Sequence, residues 1–203
     1  MMVVSLDQRN HGIRMISETE NEGFPKNPNH PFDMYAIQLG TARDVSYLMD
    51  VLPVKYNLTQ PLTFEVFGIS LGGHASLLSI ANDPRITTCV SLIGCGDYLA
   101  LMKTRRGVQM ESHFPQSFLS LLSRVDPVSQ PAAFKDKNIY LAQGEDDKLV
   151  PASCNELFYE SIKGVAQNVV LKSYPGVAHQ VTPQMLEDIF QWLSALHPTP
   201  SHY

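Results

Sequence analysis

Gly68-Ile69-Ser70-Leu71-Gly72 sets a serine between two glycines, at the G-x-S-x-G spacing of a nucleophile elbow. The demand behind the spacing is steric. A serine presented between a strand and a helix sits on a sharp turn. Glycines at 68 and 72 remove the Cβ atoms that would clash as the turn tightens and the helix packs close. Phe64, Val66 and Phe67 read as the end of a buried strand, and Leu71 to Asn82 as a helix. Ser70 then stands at a helix N-terminus, where free N–H groups and the dipole favour a developing negative charge. The Leu71 N–H is a candidate oxyanion donor. The plainer reading is a glycine-rich turn in which Ser70 only caps the helix.

A serine hydroxyl is a poor nucleophile at neutral pH. It needs a base to take its proton, and the base needs a carboxylate to orient it. Asp146 and Asp147 lie in Gly144-Glu-Asp-Asp-Lys-Leu-Val-Pro151, just past a predicted strand, where catalytic groups collect in open parallel sheets. Either is equally a turn residue by type. His179 lies in Tyr174-Pro-Gly-Val-Ala-His179, after the last predicted strand and before the closing helix. His30, His74, His113, His197 and His202 have no such setting, and His74 falls within the elbow helix, where a packing role is expected.

With Asp7-Gln-Arg-Asn-His-Gly12 added, these segments resemble the α/β-hydrolase fold, in the broad group of serine esterases and prolyl-oligopeptidase-like hydrolases. They span nearly the whole chain and are more specific together than singly. The resemblance implies the chain order Ser, acid, His. It also implies an acid three residues after the glycine and three before the valine, which selects Asp147 over Asp146. Asp97 is an outside candidate, because some members place the acid after that strand. The expected site is therefore Ser70, Asp147 and His179, with Leu71 at the oxyanion. In the resembled fold the Asp-x-Arg-x-His-Gly turn is a hydrogen-bonded corner after the fourth strand, so His11 is expected to be structural. Three strands precede it there, and a loop after the third supplies a second oxyanion amide. No HGGG-type motif occurs in this chain. The expectation is an N-terminally shortened fold, with a gap in the sheet or a direct pairing across it.

The elements that must position these groups alternate. Met2 to Leu6 reads as a buried strand, Ile13 to Pro31 as a surface loop, and Asp33 to Leu52 as a helix with Pro53 just past its end. Strands are expected at Ile86–Ile93, Asn138–Gln143 and Asn168–Tyr174, and helices at Ser153–Lys163 and Thr182–Leu196. This alternation predicts an α/β architecture: a doubly wound, mostly parallel sheet with helices on both faces, in one domain over 1–203. Residues 98–124 break the alternation and read as a small cap. Its Phe114, Phe118, Leu119 and Leu122 would line an acyl pocket, or else form an ordinary amphipathic helix packed on the body.

Of the 203 residues, 44% are apolar and 17% charged, the latter below the roughly 25% of an average chain, which argues for a large buried sheet. The net charge of −5 implies no basic face, so nucleic acid is not an expected partner. No apolar run reaches the ~20 residues of a membrane span. The N-terminus lacks the basic region and cleavage site of a signal peptide. Cys89, Cys95 and Cys154 cannot all pair and have no metal-ligand spacing, which reads as reduced thiols in a cytoplasmic protein. No metal or cofactor is expected, and no phosphate-binding G-x-x-x-x-G-K-[ST] pattern occurs.

The resulting expectation is a serine hydrolase acting on a small-molecule carboxylic ester, thioester or small amide through an acyl-enzyme. The alternatives are a non-catalytic hydrolase-fold protein and an acyltransferase on the same fold. Substrate identity and oligomeric state are not encoded in motifs of this kind.

Overall fold

Four strands, β1 (Phe64–Ile69), β2 (Ile86–Leu92), β3 (Asn138–Gly144) and β4 (Asn168–Tyr174), form one parallel sheet in the order β1-β2-β3-β4. The structure, a computed structural model, describes residues 2–59, 61–106 and 114–198. The helices are α1 (Glu18–Asn21), α2 (His30–Lys55), α3 (Leu71–Asn82), α4 (Tyr98–Arg106), α5 (Gln116–Val125), α6 (Ser153–Ile162) and α7 (Pro183–Leu196).

Each strand pairs with the next in sequence, so right-handed crossovers stepping steadily one way put their helices on one face of the sheet. There Leu77 and Ile80 of α3 and Phe158 and Ile162 of α6 share a core with Cys89, Ile139 and Leu141. Residues of the other strand parity, Val90, Leu92, Tyr140 and Ala142, meet Met185 and Ile189 of α7 on the opposite face. Residues 139 to 142 of β3 are all buried, as a parallel strand covered on both sides requires. The Thr182 hydroxyl accepts the Met185 N–H at 3.2 Å and caps α7, with Pro183 in its first turn.

Helix α2 runs over 26 residues and extends past both expected ends. Pro31 falls in its first turn, where a missing N–H costs nothing. Pro53 lies inside the helix rather than beyond it. The ladder closes around it, because the Tyr56 N–H bonds to the Leu52 and Val54 carbonyls.

The stretch read as a loop contains a short 3-10 turn, Gly12–Arg14, and α1. Buried Asn10 organises it. Its Oδ1 accepts the Ile16 and Ser17 N–H groups at 2.8 Å each, and its Nδ2 donates to the Ser17 carbonyl and to Asn21. Arg9 and Arg14 both clasp Asp44 of α2, at 2.6 Å each.

Hydrogen bonding to Arg9, with Arg14 adding to it, holds the Asp44 carboxyl down at about 2. A carboxyl with a lower folded-state pKa stabilises the fold above its unfolded value of about 3.9, and that stabilisation disappears as pH falls toward 2. Asp44→Asn is therefore expected to lower Tm at pH 7 by about 2–4 °C, the equivalent of about 1 kcal/mol in a chain of this size. The gap to the parent should close between pH 4 and pH 2 in a thermal melt series.

One expectation is corrected. Met2 to Leu6 is not a buried strand: it has no strand pairing, and Val3 is 81% exposed. The physical reason is that β1 is the edge of the sheet. Among the described residues no strand lies against its outer side, so the neighbour expected between β1 and this segment is not there to pair with it, and Phe67 and Ile69 of β1 are themselves half exposed. Of the segment read either as a cap or as an ordinary packed helix, residues 107–113, including His113, lie outside the described residues, as does His202. Phe114, Phe118 and Leu122 are buried in a cluster with Tyr35, Tyr98 and Leu101, with Leu119 packed on it. Helix α5 packs on the body as an amphipathic helix, its one aromatic ring, Phe118, set edge-on to Phe32 and Tyr35.

Candidate active site

All four strands point their carboxyl ends at the same edge of the sheet, and the groups of interest follow them. Strand β1 runs into Ser70, whose backbone adopts φ 54°, ψ −114°, a costly conformation for a residue with a Cβ. The turn is pinned on both sides. The Ser70 N–H donates to the Leu92 carbonyl of β2 at 2.8 Å, and the His74 N–H donates to the Ser70 carbonyl at 3.2 Å. The side chain does not cap α3. Its Oγ instead lies 2.8 Å from His179 Nε2.

The glycines divide unexpectedly. A Cβ on Gly68 would lie 2.0 Å from the Gly72 carbonyl oxygen and 2.5 Å from Ser76 Oγ, so glycine is required there. A Cβ on Gly72 would meet only Gln8 Nε2, at an ordinary 3.4 Å. The close approach of helix to sheet falls one residue later, at Gly73, where a Cβ would lie 2.7 Å from Ser91 Oγ and 2.8 Å from Gly94 Cα. The steric role expected of Gly72 thus belongs to Gly73.

The loops after β3 and β4 are zipped together by backbone. Glu145 N–H bonds to the Tyr174 carbonyl and Asp146 N–H to the Val177 carbonyl. Gly144 permits this, since a Cβ there would sit 2.2 Å from the Val177 oxygen. The zipper brings Asp147 Oδ2 to 2.7 Å from His179 Nδ1. Asp147 Oδ1 accepts the Leu149 and Val150 N–H groups, both at 2.9 Å. Asp147 is thus buried with both oxygens engaged, whereas neighbouring Asp146 is exposed. An ionised Asp147 requires the proton on His179 Nδ1, which leaves the Nε2 lone pair facing the Ser70 hydroxyl.

Asp97 is spent elsewhere: its carboxylate accepts the Ala100 N–H at 2.9 Å at the start of α4, and burial pushes its pKa up. His74 is packed and buried. Its Nε2 lies 3.2 Å from Asp126 Oδ1, and Asp126 Oδ2 accepts the Tyr98 N–H. Exposed His197 pairs with Glu65. His11 Nδ1 lies 3.0 Å from the Arg9 carbonyl, within the corner.

Ser70 and Leu71 open onto a cavity of about 230 Å³. The first helical bond of α3 is made by His74, so the Leu71 N–H has no partner within the helix. Among the described residues no strand precedes β1, so the loop that carries a second oxyanion amide in the resembled fold has no counterpart there. The rest of the cavity wall includes Gln38 and His30 from α2, His74 from α3 and Arg105 from α4. Sequence reading passed over Arg105 and Gln38 and gave His30 no role. No local pattern marks them, because each is an ordinary residue of a helix joined to the others only by packing. Among the described residues no group of three or more His, Cys, Asp or Glu is arranged to hold a metal ion, and no helix is long and apolar enough to cross a membrane.

A parallel sheet with flanking helices and a strained serine at the strand–helix turn gives the chain the α/β-hydrolase fold. Within it, the Phospholipase/Carboxylesterase family model matches residues 116–197. The acyl-protein thioesterase 1 of Gibberella zeae is 28% identical over 130 residues, covering 62% of this chain and 45% of that protein. The chain thus spans about half the length of the curated relative it matches. Among solved structures, TT1662 from Thermus thermophilus is similar with a TM-score of 0.73 at 19% identity, over 95% of this chain and 76% of that one. Arabidopsis thaliana SOBER1 gives a TM-score of 0.52 at 21% identity, over 79% of this chain and 64% of that one. The acylaminoacyl peptidase of Pyrococcus horikoshii gives 0.61 at 12% identity, over 80% and 29%.

Proposed function

We propose that the protein is a serine hydrolase that cleaves a small carboxylic ester, thioester or amide through an acyl-enzyme on Ser70. The observation that carries this reading is the continuous chain of hydrogen bonds from Ser70 Oγ through His179 to Asp147, at 2.8 and 2.7 Å. Those lengths are the reach a general base needs. His179 takes the serine proton as Oγ attacks the carbonyl, then gives it to the leaving group. Asp147 stabilises the imidazolium formed in between. Water activated by His179 then releases the acyl group. The Leu71 N–H, beside the nucleophile, faces the oxygen on which charge develops. The similarity to a thioesterase and to the phospholipase and carboxylesterase model favours ester or thioester over peptide chemistry.

A fluorophosphonate probe tests the proposal directly, since it captures an activated serine without needing full turnover. The expected result is stoichiometric labelling at Ser70, lost in Ser70→Ala and in His179→Ala. No labelling of the folded protein, or labelling that survives Ser70→Ala, would sink it.

A further inference from the structure

The wall of the Ser70 cavity has a charge of one sign. Among the described residues Arg105 is its one residue with a fixed charge, and no carboxylate lines it. Among the described residues the guanidinium meets no carboxylate at all. Its Nη1 lies 2.7 Å from His30 Nε2, and its Nη2 is 3.5 Å from the Leu149 carbonyl. An arginine only donates, so His30 Nε2 accepts. The His30 proton then sits on Nδ1 and goes to the Glu22 carbonyl, 3.0 Å away. His30 is therefore neutral in this arrangement. Burial, and then Arg105 itself, push its pKa down, which keeps it so. Asp33, the carboxylate whose field reaches His30, accepts from Asn27 Nδ2 at 2.9 Å. The cation at the cavity rim is thus aimed by a neutral group, and no described carboxylate pairs with it.

Two more wall residues present buried polar atoms without a partner, Gln38 Oε1 and His74 Nδ1. Buried polar atoms ordinarily have partners, and these belong to side chains of residues only 3% and 1% exposed. The cavity, about 230 Å³, lies below the ~300–1,000 Å³ of ordinary ligand pockets. It is small, with polar and apolar residues in its wall, and it carries a guanidinium without a carboxylate partner among the described residues, of the kind that recognises carboxylates bidentately.

We infer that this cavity takes a short acyl group ending in a carboxylate, so that the preferred substrate is a half-ester or half-thioester of a small dicarboxylic acid. The far carboxylate sits on Arg105 while Ser70 attacks the ester carbonyl. Arg105 is then a specificity-determining residue. This inference rests on the proposed role of Ser70 for its chemistry but not for its binding, and the two are tested apart.

Binding is read by calorimetric titration of glutarate into Ser70→Ala protein. Saturable binding is expected, weakened about 10- to 100-fold in Ser70→Ala/Arg105→Gln, the factor a charged hydrogen-bonded pair is worth. Circular dichroism and thermal melts check that the double variant is folded. Arg105→Lys keeps the charge without the fork and should fall between the two. Selectivity is read as the ratio of kcat/KM for mono-4-nitrophenyl glutarate to that for 4-nitrophenyl butyrate. That ratio is expected to exceed one in the parent and to fall about 10- to 100-fold in Arg105→Gln. Absence of glutarate binding to Ser70→Ala, or binding indifferent to Arg105→Gln, overturns the inference even if Ser70 labels. Binding that depends on Arg105 in a protein whose Ser70 never labels would leave the anion site standing and remove the hydrolase.

Discussion

Asp147→Asn is expected to lower kcat by about 10⁴-fold, the loss seen when the triad aspartate of serine proteases is replaced in this way, while Asp146→Asn changes it by less than about threefold. The reason lies in the hydrogen bonds around Asp147. Its Oδ1 already receives two backbone N–H groups, from Leu149 and Val150. An asparagine there must keep its carbonyl oxygen toward those donors, because turning the amide would set N–H against N–H. Its NH₂ therefore faces His179 Nδ1 in place of the carboxylate oxygen. Nδ1 becomes an acceptor, the ring proton moves to Nε2, and Ser70 meets a donor where it needs a base. Size and packing hardly change, so Tm should barely move. Asp146 is exposed, and its backbone, not its carboxylate, holds the loop. Steady-state rates on a 4-nitrophenyl ester decide the matter. Equal losses in the two variants would mean that the base is oriented by something other than Asp147.

Gly68→Ala carries the second large effect, on stability. The added methyl would lie 2.0 Å from the Gly72 carbonyl oxygen. That atom is main chain in the first turn of α3, so no side-chain rotation relieves the clash. Strand and helix must separate at the elbow, at a cost of at least about 3 kcal/mol. With total stabilities of about 5–15 kcal/mol, that corresponds to a Tm drop of at least about 6–12 °C for a chain of this size, along with loss of serine labelling. Gly73→Ala should behave similarly, pressing on Ser91 and Gly94. Gly72→Ala, which meets one side-chain nitrogen at contact distance, should be neutral or stabilising by up to about 1 kcal/mol, because alanine is the better helix residue. A thermal melt of the three variants separates these cases. A Gly72→Ala loss as large as that of Gly68→Ala would show that the elbow needs its second glycine for a reason other than space.

The sequence by itself determined what is local. The run from Phe64 to Asn82 fixes strand, turn and helix, because the switch from strand to helix periodicity and the glycines act over a few residues. Alternation of strand and helix from residue 64 onward dictated a parallel sheet, while the order Ser70, Asp147, His179 was implied by the resemblance to the α/β-hydrolase fold. Where an expectation failed, the deciding fact was a neighbour far away in sequence. Met2 to Leu6 has the composition of a buried strand, yet a strand forms only against a neighbour, and the one expected between this segment and β1 is absent among the described residues. Phe118 and Leu122 fit an acyl pocket or a packed helix equally by composition, and it is Tyr35, Tyr98 and Phe32 that take up that surface. Glycine at 72 matches the motif, yet the steric demand sits at 73, because it is set by how closely α3 approaches the loop after β2. Only the tertiary structure brings His30 and Arg105, 75 positions apart, into one cavity wall. Periodicity reports which face of a helix is buried. It carries no information about which other helix supplies the opposite wall, since that is settled by packing across the whole sheet.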